Sequence, residues 1–258
     1  MGAIVEFFIG GTDLNIVGFV VLGGVSFLGS FLTVALGLGG GVLVLASMAL
    51  FLPPIALIPL HGVIQLGSNI GRTVLMTDDV IYRVLPHFAV GTLLGSAIGS
   101  SMFVALPIGV LQIVLALFVL YATWAQRFRV SKPGPGKFGA LGLVSGFVTM
   151  FVGGSGPLIA PFANAVGDDK KKVVATHAAL MSIQHIFKLG ALSILGFAFG
   201  PYFPFLFAAL LLGFAGTWAG RHVLNRLPER TFRIGLQVIL TILAVRLIYA
   251  AAVSLMTG

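Results

Sequence analysis

The chain contains no cysteine, so no disulfide, zinc or haem site has to be considered. Charge is nearly as scarce. Only 9% of the 258 residues are Asp, Glu, Lys or Arg, whereas 58% are hydrophobic and the mean hydropathy is +1.11. Soluble domains carry about 25% charged residues, so a soluble enzyme or binding module is excluded. Acidic residues are the scarcest of the charged types. There are seven Asp and Glu against fifteen Lys and Arg, a net charge of +8. That excess is not a nucleic-acid footprint, because the cations gather in three short loops, 126–137, 170–172 and 221–233, as cytoplasmic loops of membrane proteins do. Residues 1–14 hold Glu6 and Asp13 and no Lys or Arg. The charged n-region of a cleaved signal peptide is therefore missing, and the apolar stretch that follows is expected to stay.

What is present is a succession of apolar runs long enough to cross a bilayer. The pattern predicts an all-α polytopic membrane protein with segments at 16–36, 42–52, 59–76, 84–103 and 108–125. A basic linker rich in Pro and Gly follows at 126–137, and then further segments at 138–152, 158–166, 173–199, 202–220 and 232–256.

Two of these runs are interrupted by glycine. The first break is Gly37-Leu38-Gly39-Gly40-Gly41 and the second is Gly153-Gly154-Ser155-Gly156-Pro157. Such breaks expose backbone N–H and C=O groups, which hydrocarbon tolerates only where protein or a polar cavity covers them. One matching break in each half is the sequence mark of a transporter binding site. The matching extends further. Thr33 precedes the first break as Thr149 precedes the second, Gly95 and Gly99 match Gly216 and Gly220, and Leu106-Pro107 matches Leu227-Pro228. These order-preserving matches predict two homologous repeats, 1–125 and 138–258, each a glycine-broken segment followed by three transmembrane helices. If each broken segment re-enters, each half crosses three times and the second repeat is inverted. All three basic loops then lie on the cytoplasmic side, linker 126–137 included.

The helix after each break carries a polar stripe. His61, Gln65, Asn69 and Arg72 follow at spacings of 4, 4 and 3, and His177, Met181, His185 and Lys188 repeat them, with Gln184 alongside. Such steps return to one helix face. A charge at mid-membrane costs about 2.5–3.5 kcal/mol on insertion scales, and no acidic residue lies at comparable depth. Arg72 and Lys188 therefore invite an anion from outside the chain; snorkelling to the interface is the structural alternative. The half-helices expected to begin near Val42 and Leu158 would add free N–H groups to the same site. Pro157 suits a first helical turn. His61, His177 and His185 are candidate proton carriers, since imidazole changes charge near neutral pH. His61 and His177 also fit a packing role.

The paired glycine motifs, each followed by a polar helix ending in Arg or Lys, resemble the sulfite exporter TauE/SafE family over roughly residues 17–250. That resemblance implies transport of sulfite, sulfonates or other small sulfur-containing or organic anions across the cytoplasmic membrane of a prokaryote. Carried over by position, it places the glycine breaks on Gly39, Gly40, Gly41, Gly154, Ser155 and Gly156. Its polar positions fall on His61, Gln65, Asn69, Arg72, His177, His185 and Lys188. Ser155 stands where the family motif has glycine.

The expected function is a secondary transporter for a small anion, working by alternating access with no cofactor and no metal. Gln65, Asn69, Ser155 and Gln184 would orient the substrate, and Arg72 and Lys188 would hold its charge. The other expected partner is the lipid bilayer; the sequence leaves monomer and homodimer both open. A passive anion channel on the same site is one alternative. An intramembrane serine protease is another, because Gly153-Gly154-Ser155-Gly156 fits a G-x-S-G nucleophile pattern with a nearby histidine. Against it, Gly40 takes the place of Ser155 in the first repeat, so the motif is explained as a helix break.

Overall fold

A computed structural model describes residues 9–36, 39–103, 106–124, 130–131, 133–223 and 229–257, and within these the chain is helical with no strand. Among the described residues ten α-helices follow one another: α1 (Ile16–Leu36), α2 (Gly40–Met48), α3 (Pro54–Leu75), α4 (Leu85–Phe103), α5 (Ile108–Trp124), α6 (Pro135–Val152), α7 (Gly156–Val166), α8 (Lys170–Ile194), α9 (Phe203–Val223) and α10 (Glu229–Thr257). Gly37, Leu38, Leu227, Pro228, Glu6 and the linker positions 126–129 and 132 lie outside the described residues.

Among the described residues, five stretches are long and apolar enough to cross a membrane: Ile16–Val34, Tyr82–Phe103, Pro135–Val152, Gly200–Gly220 and Ile234–Val253. This is a polytopic membrane protein. At 22 and 25 residues, α3 and α8 are also of crossing length. Their polar stripes make them less apolar than the other five, and the stripes are turned inward. By contrast, α2 and α7, with 9 and 11 residues, reach only about 14–17 Å at 1.5 Å per residue.

Several helix starts precede the positions expected from sequence. The short helices begin at Gly40 and Gly156, two residues before Val42 and Leu158. The third begins at Pro54, leaving Pro59 inside α3. Pro54 sits at the first helical position, where its missing N–H costs nothing, and membrane helices tolerate an internal proline such as Pro59. The linker's Pro135 likewise opens α6. Asn15 starts α1 by accepting the Gly18 N–H at 2.7 Å. Asp169 caps α8 by accepting the Lys172 N–H at 2.9 Å. Asp169→Ala is expected to cost about 1 kcal/mol, readable as a small drop in melting temperature in detergent. Beside it, the exposed Asp168 carboxylate pairs with Lys172 at 2.9 Å, a hydrogen bond that holds its pKa below the usual carboxylate range.

The chain forms two compact units that cut across the sequence halves. One comprises Met1–Ile64, Pro107–Ala125 and Ala198–Gly258, the other Gln65–Leu106 and Gln126–Phe197. Within the first unit α1 packs along α9 and α5 along α10; within the second α4 packs along α6.

Two of these pairings, α9 on α1 and α4 on α6, are made in the same way. A Cβ on Gly216 of α9 would strike the Phe27 carbonyl of α1, and one on Gly220 would strike the Phe31 backbone and Val34. A Cβ on Gly95 of α4 would strike the Leu143 carbonyl of α6, and one on Gly99 would meet Phe147 and Met150. Counted from Thr33 and Thr149, Phe27 matches Leu143, Phe31 matches Phe147 and Val34 matches Met150. In both pairs glycine lets one backbone lie directly on the next. Gly95→Leu is accordingly expected to lower the melting temperature of the protein more than Gly190→Leu, where a Cβ meets nothing within 4 Å.

Each short helix doubles back along the long helix before it. Gly40 lies against Gly29, and a Cβ on Gly18 near the start of α1 would sit 3.0 Å from the Phe51 ring just beyond α2. In the second unit Phe138, near the start of α6, meets Phe162, near the end of α7, with ring centroids 5.8 Å apart. Ile159, Leu180 and Met181 complete the core there.

Candidate functional site

The second break is a turn fastened by one helix. Gly153 ends α6 in the left-handed region at φ 75°, where glycine is favoured, and its N–H returns to the Thr149 carbonyl at 3.0 Å. Across this turn lies α8. Its residues His177, Gln184 and Lys188, seven and four apart, fall on one helix face. His177 Nε2 donates to the Gly156 carbonyl at 3.3 Å, Gln184 Nε2 to Ser155 Oγ at 2.5 Å, and Lys188 Nζ to the Gly153 carbonyl at 2.5 Å. Backbone groups released by the break are thus taken up by polar side chains, as a low-dielectric surrounding demands. Because a carbonyl only accepts, the His177 proton sits on Nε2.

Lys188 is fully buried and Arg72 only 7% exposed. Neither side chain reaches the surface as a snorkelling cation would. Arg72 Nη2 donates to Asn69 Oδ1 at 2.8 Å and Nε to the Ser68 carbonyl at 3.2 Å, while Asn69 Nδ2 donates to the Gln65 carbonyl at 2.7 Å. Asn69 therefore aims the guanidinium. A guanidinium has five N–H donors, and among the described residues the others on Arg72 are not engaged and no carboxylate pairs with it. Gln65 is half-buried, one turn before Asn69, and His185 is fully buried beside Gln184. Gly154 is buried and Gly156 half-buried within the turn.

These residues all belong to the second compact unit. Gly39, Gly40, Gly41 and His61 belong to the first. There Gly39 is left-handed at φ 99° immediately before α2, and His61 Nε2 donates to the Gly41 carbonyl at 3.0 Å. His61 and His177 thus each bond the last glycine of their own break. Gly40 is wedged against α1: a Cβ there would overlap the Gly29 carbonyl and the Thr33 hydroxyl.

The protease geometry is not formed. Ser155 Oγ gives its proton to the Ser145 carbonyl at 3.4 Å and accepts from Gln184, and no histidine bonds it. A nucleophile needs a base within hydrogen-bond reach. Among the described residues no group of three or more His, Cys, Asp or Glu could hold a metal.

Two residues of the site went unrecognised as such in the sequence, Thr149 and Ser145. Both are fully buried in the last turns of α6 beside the break. Their spacing of four ending at a glycine break was the available signal.

The model of the sulfite exporter TauE/SafE family matches residues 22–247, which include both breaks and both polar helices. No curated protein and no solved structure matches the chain.

Proposed function

The chain belongs to the sulfite exporter TauE/SafE family, and from that premise we propose that it is a secondary transporter that moves sulfite, a sulfonate or a related small anion across the membrane by alternating access. One observation carries the reading. Arg72 is a buried cation, aimed by Asn69, with donors that no described residue engages and no carboxylate beside it. A second buried cation, Lys188, lies in the same unit at a glycine break. Burying a guanidinium without a carboxylate is costly, and the missing partner of Arg72 is an anion.

The architecture proposed from sequence agrees with this use. Two repeats are supported by the paired contacts of Gly95 with Leu143 and of Gly216 with Phe27. Re-entry of the broken segments is supported by the two helical hairpins, whose short arms are too brief to cross. The host membrane is then the cytoplasmic membrane of a prokaryote, with the 126–137 linker inside. His185, buried beside Gln184, is the proposed proton carrier; His61 and His177 hold the break carbonyls.

The test is uptake of labelled sulfite into proteoliposomes. Accumulation above the equilibrium set by the membrane potential, driven by an imposed proton gradient, is the expected result. Uptake that only equilibrates identifies a channel, and no uptake of any sulfur oxyanion removes the reading. His185→Gln is expected to retain sulfite binding and lose the acceleration by the proton gradient.

A further inference from the structure

Matching residues at the two breaks are in different states. At the first, the Thr33 hydroxyl donates to the Gly29 carbonyl at 2.7 Å and lies against Gly40, so its hydrogen bonding is closed within the hairpin. The matching residues at the second are Thr149, Ser145 and Ser155. Here Ser155 Oγ donates to the Ser145 carbonyl, the acceptor that Thr149 would use by analogy with Thr33. Thr149 Oγ1 is buried and has no hydrogen-bond partner among the described residues.

Gln184 completes the difference. Its counterpart in the first stripe is Ser68. The Ser155 proton is committed to Ser145, so Ser155 Oγ must accept, and the Gln184 amide must present Nε2 to it. Gln184 Oε1 is thereby turned away, buried and without a hydrogen-bond partner among the described residues. Native interiors rarely keep such orphans unless a ligand or water completes them. These two flank the Gly153–Ser155 turn, where Lys188 brings a positive charge. Thr92 Oγ1 and Gln112 Oε1 also have no hydrogen-bond partner among the described residues, but they lie on α4 and α5, which carry no Lys or Arg.

We propose that the second break alone binds the anion, one site per chain, and that the site takes a singly protonated oxyanion. Thr149 donates to one oxygen of the ligand, the ligand's own O–H donates to Gln184 Oε1, and Lys188 balances the charge. The first break is a closed structural joint. This rests on the transporter reading above and narrows it: a sulfonate monoanion lacks the O–H, and a fully ionised oxyanion would set a lone pair against the Gln184 oxygen.

Binding to the full-length protein in detergent tests it, by titration calorimetry with sulfite at a mildly acidic pH, where hydrogen sulfite predominates, and with methanesulfonate at the same pH. Sulfite is expected to bind at least about tenfold more tightly than methanesulfonate, since a site built around a ligand hydroxyl rejects an analogue without it. Thr149→Val should weaken sulfite by about tenfold or more, Thr149→Ser should restore it, and Thr33→Val should leave it unchanged. If Thr149→Val fails to fold, Gln184→Met serves instead and should bring the two ligands to equal affinity. Equal loss in the Thr33 and Thr149 variants, or methanesulfonate binding as tightly as sulfite to the wild type, overturns the proposal alone. So does wild-type affinity in Thr149→Val, which would mean that water fills the orphans. Failure of the wild type to bind either anion overturns the transporter reading with it.

Discussion

Lys188→Met is expected to abolish transport while leaving the protein folded. Methionine keeps the length and most of the volume of the side chain but removes the charge and the donor to Gly153. Removing one member of a buried charge pair costs about 2–5 kcal/mol of binding, so affinity for the anion should fall by roughly 30-fold to several thousand-fold. Stability should change far less. The Gly153 carbonyl loses a bond, worth about 1–3 kcal/mol if it is left buried and unsatisfied, but a desolvated ammonium is removed with it. The measurement is sulfite uptake into proteoliposomes beside a melting curve in detergent. Uptake at the wild-type rate would show that Lys188 only fastens the turn. Arg72→Lys is the companion variant. It keeps the charge but not the fork that Asn69 orients, and is expected to transport at an intermediate rate.

Gly40→Leu is expected to be the most destabilising of the substitutions considered. The Cβ would overlap the Gly29 carbonyl oxygen, which is backbone and cannot rotate aside. Relief requires α2 to lift off α1, which also pulls Gly41 from His61 and disturbs the Thr33 hydroxyl. Overpacking of this kind costs about 3 kcal/mol or more where backbone must move, so little folded protein should be recovered by size-exclusion chromatography. Gly190→Ala is the control. It has open space around it and lies within α8, so it should be neutral or stabilising by about 0.5–1 kcal/mol. If Gly40→Leu melts like the wild type, the hairpin contact is not what holds α2. Ser155→Gly probes the opposite side of the comparison. It gives the second break the residue of the first, leaves Gln184 Nε2 without its acceptor, and should weaken anion binding while the turn survives.

Much of this molecule is legible from residue type and spacing. Scarcity of charge and the length of the apolar runs identify a membrane protein, because hydrocarbon admits little else. The helix pattern follows, since proline and glycine mark the ends of α2, α3, α6 and α7 through their own backbone geometry. The polar stripes are readable too, as spacings of three, four and seven return to one helix face whatever the surroundings. Tertiary structure alone decided which partner each group found. Nothing in the spacing of Gly95 and Gly216 says that α4 lies on α6 and α9 on α1, because a glycine advertises a close approach without naming the backbone that approaches. The same holds at the breaks. By sequence Gly40 and Ser155 are equivalent positions, both taken to face substrate. In the folded chain one is filled by the Gly29 carbonyl and the other is held between Ser145 and Gln184. A single hydroxyl, by claiming one carbonyl, leaves Thr149 and Gln184 open on one side of the comparison only. Hydrogen-bond competition at that scale is settled by distances of a few tenths of an ångström, which side-chain packing sets and linear spacing does not encode.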